Sequence, residues 1–199
     1  MQLVVATHNP DKLKDYQHYF AELPYTLITI GSITSEEPAE TGATFAENAT
    51  LKAQHAFALS QLPSFADDSG FCIRALGGLP GVYSARFATT PTGQKDFQYA
   101  FAQLEAQLGA QSPATDFVCA IAYRDAQGAQ LFESTVEGYF DFSKKHIPGF
   151  GYTPIFVPTQ DNPEKLSLAE MGDARRRVYA ARGKSTALLT TWLKKNKAI

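Results

Sequence analysis

Apolar and polar residues fall along this chain in blocks that predict strands and helices in turn. Leu3-Val4-Val5-Ala6 is a short apolar run, expected as a buried first strand. Asn9-Pro10 then offers a helix N-cap followed by proline at the first helical position. Leu13, Tyr16, Gln17 and Phe20 continue at helical spacing until Pro24 closes the element. Residues 26–30 read as a second strand, and a polar, acidic connector covers residues 32–41. Thr44 and Glu47 have the spacing of a capping box, opening a helix that continues to about residue 61. Phe65 and Ala66 are expected to end a short strand, with Asp67 and Asp68 sitting where it stops.

Farther along, Leu76-Gly77-Gly78-Leu79-Pro80 demands a turn or loop. Residues 92–108 read as a helix with Phe97, Phe101, Leu104 and Leu108 on one face. Residues 117–123 and 130–140 read as strands joined by a hairpin turn over residues 125–128. A second glycine-bearing loop, Pro148-Gly149-Phe150-Gly151, precedes a strand at residues 155–157. The tail is helical, and Gly183 is expected to separate a basic segment, residues 173–182, from a last helix ending near Trp192 and Leu193. Alternating strands and helices followed by a hairpin suggest an α/β fold with a mixed sheet.

Composition narrows the class. With 199 residues, 44% of them hydrophobic and 19% charged, the chain fits one globular domain, or one domain with two lobes. No apolar run approaches the roughly 20 residues of a membrane span, and Asn9-Pro10-Asp11-Lys12 interrupts anything resembling a signal peptide. Cys72 and Cys119 make no disulfide framework and have no histidine at zinc-ligand spacing, so reduced cysteines in a cytoplasmic protein are expected. A net charge of −2 argues against nucleic acid or an anionic membrane as partner. A polyanionic ligand would therefore need positive charge supplied locally.

Several segments carry candidate chemistry. Thr7-His8-Asn9-Pro10-Asp11-Lys12 joins a strand to a helix start, where free N–H groups and the helix dipole favour phosphate; alternatively Asn9 is simply a cap and Lys12 is solvated. Thr44, Asn48, Lys52 and His55 form a polar stripe on one helix face, with Ala46, Ala49 and Ala53 as a small-residue face. Glu47 has a local task in the capping box, which makes Glu40 the carboxylate available for other chemistry. In Ala66-Asp67-Asp68-Ser69-Gly70, paired aspartates beside an apolar strand are costly unless they bind something or cap a turn. Neighbouring strand residues point to opposite faces, so only one aspartate leads into a given site. Mg²⁺ prefers such carboxylate oxygens and shares substrate phosphates. Arg86, after Gly81-Val82-Tyr83-Ser84-Ala85, has the bidentate geometry phosphate accepts. The aromatics of Gly149-Phe150-Gly151-Tyr152-Thr153-Pro154 either stack on a base or pack in a core. Arg175-Arg176-Arg177 with Arg182-Gly183-Lys184 is either a solvated face or the local positive field.

In order and wording these segments resemble the inosine/xanthosine triphosphate pyrophosphatases, which remove deaminated purine nucleotides. The likeness runs from Val4 to Lys184. It is carried by Glu40-Thr41-Gly42, Phe45, Glu47-Asn48-Ala49, Lys52-Ala53, Ala66-Asp67-Asp68-Ser69-Gly70, Pro80-Gly81, Tyr83-Ser84-Ala85-Arg86 and Gly149-Phe150-Gly151-Tyr152 with Pro154. The resemblance implies a long mixed sheet with flanking helices, two lobes around a central cleft, and a homodimer. It implies that Thr7, His8, Asn9 and Lys12 hold phosphates. Glu40 and Asp68 would bind Mg²⁺, with Asp68 accepting the proton of the attacking water and Asp67 a lesser candidate. Ser69 would touch the substrate, Lys52 and Arg86 the triphosphate, and Phe150, Gly151 and Tyr152 the base. Arg176 stands where the family has lysine, and Arg182 keeps the family's arginine. Cleavage between the α and β phosphates then needs mainly charge neutralisation and a positioned water.

The chain departs from the family pattern at four positions. His8 replaces a glycine and Arg176 a lysine in the phosphate region; Thr153 replaces an aspartate and Ala181 a histidine in the base-recognition surface. Three readings follow: the family reaction on non-standard purine triphosphates, the same reaction with altered or relaxed base preference, and a non-catalytic nucleotide-binding regulator. The third would be marked by a lost carboxylate, and both Glu40 and Asp68 are present.

Overall fold

The computed structural model describes residues 1–109 and 112–196. One six-stranded sheet runs in the order β2-β1-β3-β4-β5-β6. Its strands are β1 (Gln2–Val5), β2 (Thr26–Thr29), β3 (Ser64–Ile73), β4 (Ala114–Asp125), β5 (Gly128–Phe140) and β6 (Phe156–Pro158). β1 lies parallel between β2 and β3, pairing Leu3 with Leu27 and Val5 with Phe65, whereas β5 and β6 are antiparallel. The sheet is therefore mixed, as the order of predicted elements requires. Leu3, Val4 and Val5 are at most 1% exposed, which is why β1 reads as an unbroken apolar run rather than an alternating one.

The helices are α1 (Pro10–Tyr19), α2 (Phe45–Ser60), α3 (Ser84–Phe87), α4 (Phe97–Leu108), α5 (Gly172–Tyr179) and α6 (Ala181–Asn196). Asn9 caps α1 and Pro10 occupies its first turn. The capping box of α2 is complete, and Gln61 ends that helix in the left-handed conformation.

Chain contacts divide into two compact units. The first comprises Met1–Asp68, Cys119–Ser134 and the chain from Arg182; the second comprises Ser69–Val118 and Thr135–Ala181. The core of the first includes Leu3, Val4, Ile121, Leu189 and an aromatic group in which Phe65 meets Tyr16 edge-on and stacks on Phe20. In the second, Phe71 stacks on Phe117 with ring centroids 4.5 Å apart and touches Phe140, Tyr152 and Phe156. Among the described residues no helix is long and apolar enough to cross a membrane. Cys72 and Cys119 are free thiols.

Among the boundaries that differ from expectation, three have a tertiary or capping reason. β3 does not stop at Ala66 but runs ten residues, with both aspartates inside it. Partners from distant segments offset the cost of burying them. α4 begins at Phe97 rather than at residue 92, because the Asp96 carboxylate accepts from the N–H groups of Gln98 and Tyr99, while Thr90 and Gly93 form a turn. The break between α5 and α6 falls at Ala180, whose ψ of 144° is extended; Gly183 lies buried within α6.

Candidate active site

In the first unit, β1 delivers the chain to α1 and β3 lies beside it. At the start of α1 the Asn9 side chain accepts from the N–H groups of Asp11 (2.9 Å) and Lys12 (3.4 Å), while the Thr7 hydroxyl accepts from Asn9 N–H. Asn9 thus serves as the cap. Lys12 is not solvated: its ammonium turns toward β3 and pairs with Asp67 at 2.9 Å. His8 is exposed at the same junction.

Asp67 is the centre of a buried charge cluster. Arg182, in the first turn of α6 and 5% exposed, donates through Nε to Asp67 (3.3 Å) and through Nη1 to Asp15 on α1 (3.4 Å). Burial alone would raise the Asp67 carboxyl, but the charges of Lys12, Arg182 and Lys52 reverse this and hold it well below the usual carboxylate range. Burial lowers the Lys12 ammonium from its usual value, with Asp67 opposing.

Asp68 points to the other face of β3, as strand alternation requires, and meets α2. There Lys52 Nζ lies 3.2 Å from Asp68 Oδ1 and 2.7 Å from Glu40 Oε1, so one ammonium bridges the two carboxylates. Burial would lower the Lys52 ammonium, but Asp68, Asp67 and Glu40 outweigh it and raise it. Burial raises the Asp68 carboxyl above its ordinary value, with Lys52 and Lys12 opposing. Such a carboxylate is a better proton acceptor than an exposed aspartate. One turn before Lys52, the fully buried Asn48 donates to Asp68 Oδ2 at 3.2 Å.

The donor set suits a particular kind of cation. Glu40 and Asp68 are hard oxygen donors held around a single positive charge, and among the described residues no group of three or more His, Cys, Asp or Glu is arranged to hold a metal. Two carboxylates do not build a closed structural site, but they match Mg²⁺, which is commonly held by one or two carboxylates plus substrate phosphates.

The remaining expected site residues lie in the second unit, apart from Arg182. Ser69 follows Asp68 directly and is half-buried. Arg86 is exposed, with its guanidinium 5.0 Å from the Tyr83 ring centroid. Phe150 and Gly151 are half-buried, and Gly151 has a φ of +60°, which favours glycine. Tyr152 is 4% exposed, donates its hydroxyl to the Ser84 carbonyl at 2.9 Å, and packs on Phe71, Phe97 and Phe101. Its ring is a core element that anchors this loop. The Thr153 hydroxyl donates back to the Phe150 carbonyl within the same turn. Arg176 pairs with Asp173, and Ala181 is fully buried.

Sequence reasoning did not single out Asn48 or Asp15 as members of the site. Asn48 left a signal, since it lies one turn from Lys52 on the polar stripe of α2. Asp15 left none: its partner stands 167 residues away.

A carboxylate pair bridged by an ammonium, beside a capped helix start, sets hard oxygen donors and positive charge side by side, the groups that a metal-bound phosphate calls for. The chain belongs to the Ham1 family, whose pattern matches residues 3–192. It is 37% identical over 190 residues to the dITP/XTP pyrophosphatase of Thermus thermophilus, spanning 95% of this chain and 90% of that protein. It is 42% identical over 159 residues to the dITP/XTP pyrophosphatase of Leptospira interrogans, covering 78% of this chain and 80% of that one. Its structure is similar to that of the Staphylococcus aureus Ham1 protein, with a TM-score of 0.84 at 32% identity over 98% of this chain and 99% of that one. For a HAM1 protein from Coxiella burnetii the TM-score is 0.83 at 30% identity, over the same shares of each chain. The family likeness and the α/β fold expected from the sequence both hold.

Proposed function

We propose that this chain is a nucleoside triphosphate pyrophosphatase that hydrolyses non-standard purine (deoxy)nucleoside triphosphates, such as ITP, dITP and XTP, to the monophosphate and pyrophosphate. The observation that carries this is the Lys52 ammonium bridging Glu40 and Asp68, in a chain whose relatives of similar length are dITP/XTP pyrophosphatases.

In this reaction Asp68 takes the proton of the attacking water, a role supported by its burial and by its fixed orientation between Lys52 and Asn48. Glu40 and Asp68 would hold Mg²⁺, which would supply neutralisation of phosphate charge and polarisation of the phosphoryl oxygens. Lys12, Lys52, Arg86 and Arg176 supply local positive charge to a protein of net charge −2. Thr7, His8 and Asn9, at the positive end of α1, and Ser69 after β3's aspartates, orient the phosphates. Phe150, Gly151 and Thr153 meet the base, with Tyr152 fixing their loop from the core. Arg182 serves by holding Asp67. The enzyme works in the cytoplasm as a homodimer, which sedimentation of the purified protein would test.

A second reading keeps the reaction and relaxes the base preference. It is favoured by Thr153, whose hydroxyl proton is committed to the Phe150 carbonyl, and by the buried, apolar Ala181. A site that lacks hydrogen-bonding readers discriminates weakly among bases.

Both are tested by a panel of standard and non-standard triphosphates with Mg²⁺, measuring pyrophosphate and orthophosphate separately. Pyrophosphate as product, with near-complete loss in Asp68→Asn, is the expected result; orthophosphate alone overturns the reaction. A preference of about a hundredfold or more for inosine and xanthosine triphosphates over every other substrate overturns the relaxed-base reading.

A further inference from the structure

The Asn48 side chain ties together the two segments that carry the proposed catalytic and metal carboxylates. It is fully buried, and both of its polar atoms are used. Oδ1 accepts from the Gly42 N–H at 2.8 Å, and Nδ2 donates to Asp68 Oδ2 at 3.2 Å. The chemistry fixes this orientation, because a backbone N–H must meet the amide oxygen and so turns the amide nitrogen toward the carboxylate. Gly42 lies two residues from Glu40, so the same amide steadies the connector that carries Glu40.

The approach is close enough to exclude a side chain at position 42. A Cβ there would lie 2.7 Å from Asn48 Oδ1 and 2.6 Å from Glu47 Cβ. Glu47 in turn accepts from the N–H groups of Ala43 (2.6 Å) and Thr44 (3.2 Å), so the capping box holds the connector from its other side. Lys52 occupies Asp68 Oδ1, and Asn48 occupies Oδ2. The carboxylate is gripped at both oxygens, and its plane is set.

From this geometry we infer that Asn48 is a positioning residue: it orients the Asp68 carboxylate and, through Gly42, holds the Glu40 segment in register with it. This rests on the reading of Asp68 and Glu40 as the catalytic and metal carboxylates. Asn48 does not itself reach substrate in this role.

Two variants separate its two hydrogen bonds. N48D keeps an acceptor for Gly42 N–H but replaces the donor to Asp68 with a carboxylate that repels it; N48A removes both bonds without adding charge. In N48D, kcat for dITP with Mg²⁺ should fall about a hundredfold, the scale of an ångström-level misplacement, while KM stays within about threefold. The Gly42 amide should exchange slowly in wild type and N48D, and at least about tenfold faster in N48A, since its acceptor is gone. A kcat for N48D within about threefold of wild type overturns the proposal, as no misplacement has then occurred. An unprotected Gly42 amide in the wild-type protein overturns it without any variant at position 48. D68N is assayed alongside: if D68N is inactive and N48D is not, only the role of Asn48 fails, and if D68N remains active the catalytic reading itself fails.

Discussion

The Lys12 ammonium lies 2.9 Å from the carboxylate of Asp67, a side chain that solvent does not reach. α1 is thereby pinned to the middle of β3, and Arg182 pins α6 to the same carboxylate. Removing the shared anion would leave two cations buried beside one another. Asp67→Asn should therefore destabilise the fold by about 3 kcal/mol at neutral pH, measured by urea unfolding.

The pH dependence of that difference has a definite sign. Asp67 is held below the usual carboxylate range in the folded protein, so its ionisation stabilises the fold above the unfolded carboxylate pKa of about 3.9. The contribution disappears as pH falls through the lower folded value. The stability gap between wild type and Asp67→Asn should stay constant near neutrality and close below about pH 4. A gap that widens on acidification would contradict the pairing.

Gly42→Ala tests the close approach of connector and helix. The added methyl would fall 2.6 Å from Glu47 Cβ and 3.0 Å from the Asn48 backbone nitrogen, atoms that cannot swing away cheaply. A loss of about 1–3 kcal/mol is expected from overpacking, together with a fall in turnover larger than that of an exposed-site control. Thermal unfolding and steady-state rates measured on the same preparation would check it.

Thr153 offers a gain-of-selectivity experiment. Its hydroxyl donates to the Phe150 carbonyl, a bond that aspartate cannot make when ionised. Thr153→Asp restores the residue type usual in the family and frees a carboxylate to read the base. The ratio of kcat/KM for dITP over dATP should rise by about tenfold or more, at some cost in stability. An unchanged ratio would remove position 153 from base selection.

The Cys119 thiol should be inert in the native state. Burial pushes the Cys119 thiol up to about 12, and burial together with Asp116 raises Cys72 as well. Cys119 is also fully buried, so a disulfide reagent should titrate it only after unfolding, while the half-buried Cys72 reacts more slowly than an exposed thiol. Rapid labelling of Cys119 in the folded protein would show that the β4 region opens.

The local elements were legible because their signals are local. Asn9-Pro10 at α1 and the Thr44/Glu47 capping box at α2 are written within four residues of the structure they specify. The turn at Asp125 likewise joins β4 and β5 where expected, with its carboxylate accepting from Gln127 and Gly128 N–H. Glu40, Lys52 and Asp68 were each legible as candidates, and the structure brings those three together.

What the sequence could not place were effects whose causes lie far along the chain. The extent of β3 depends on Lys12, Lys52 and Arg182 neutralising aspartates that would otherwise end an apolar strand. The role of Tyr152 depends on Phe71, Phe101 and Ser84 enclosing it, which an aromatic beside two glycines does not reveal. By itself the sequence determined the starts of α1 and α2, the mixed α/β order and the set of charged residues from which a phosphate-handling site is built, since spacing and capping act over a few residues. Only the tertiary structure decided which charge meets which. Asp67 is committed to Lys12 and Arg182, and Asp68 to Lys52 and Asn48, because adjacent strand residues face opposite sides, one met by α1 and α6 and the other by α2.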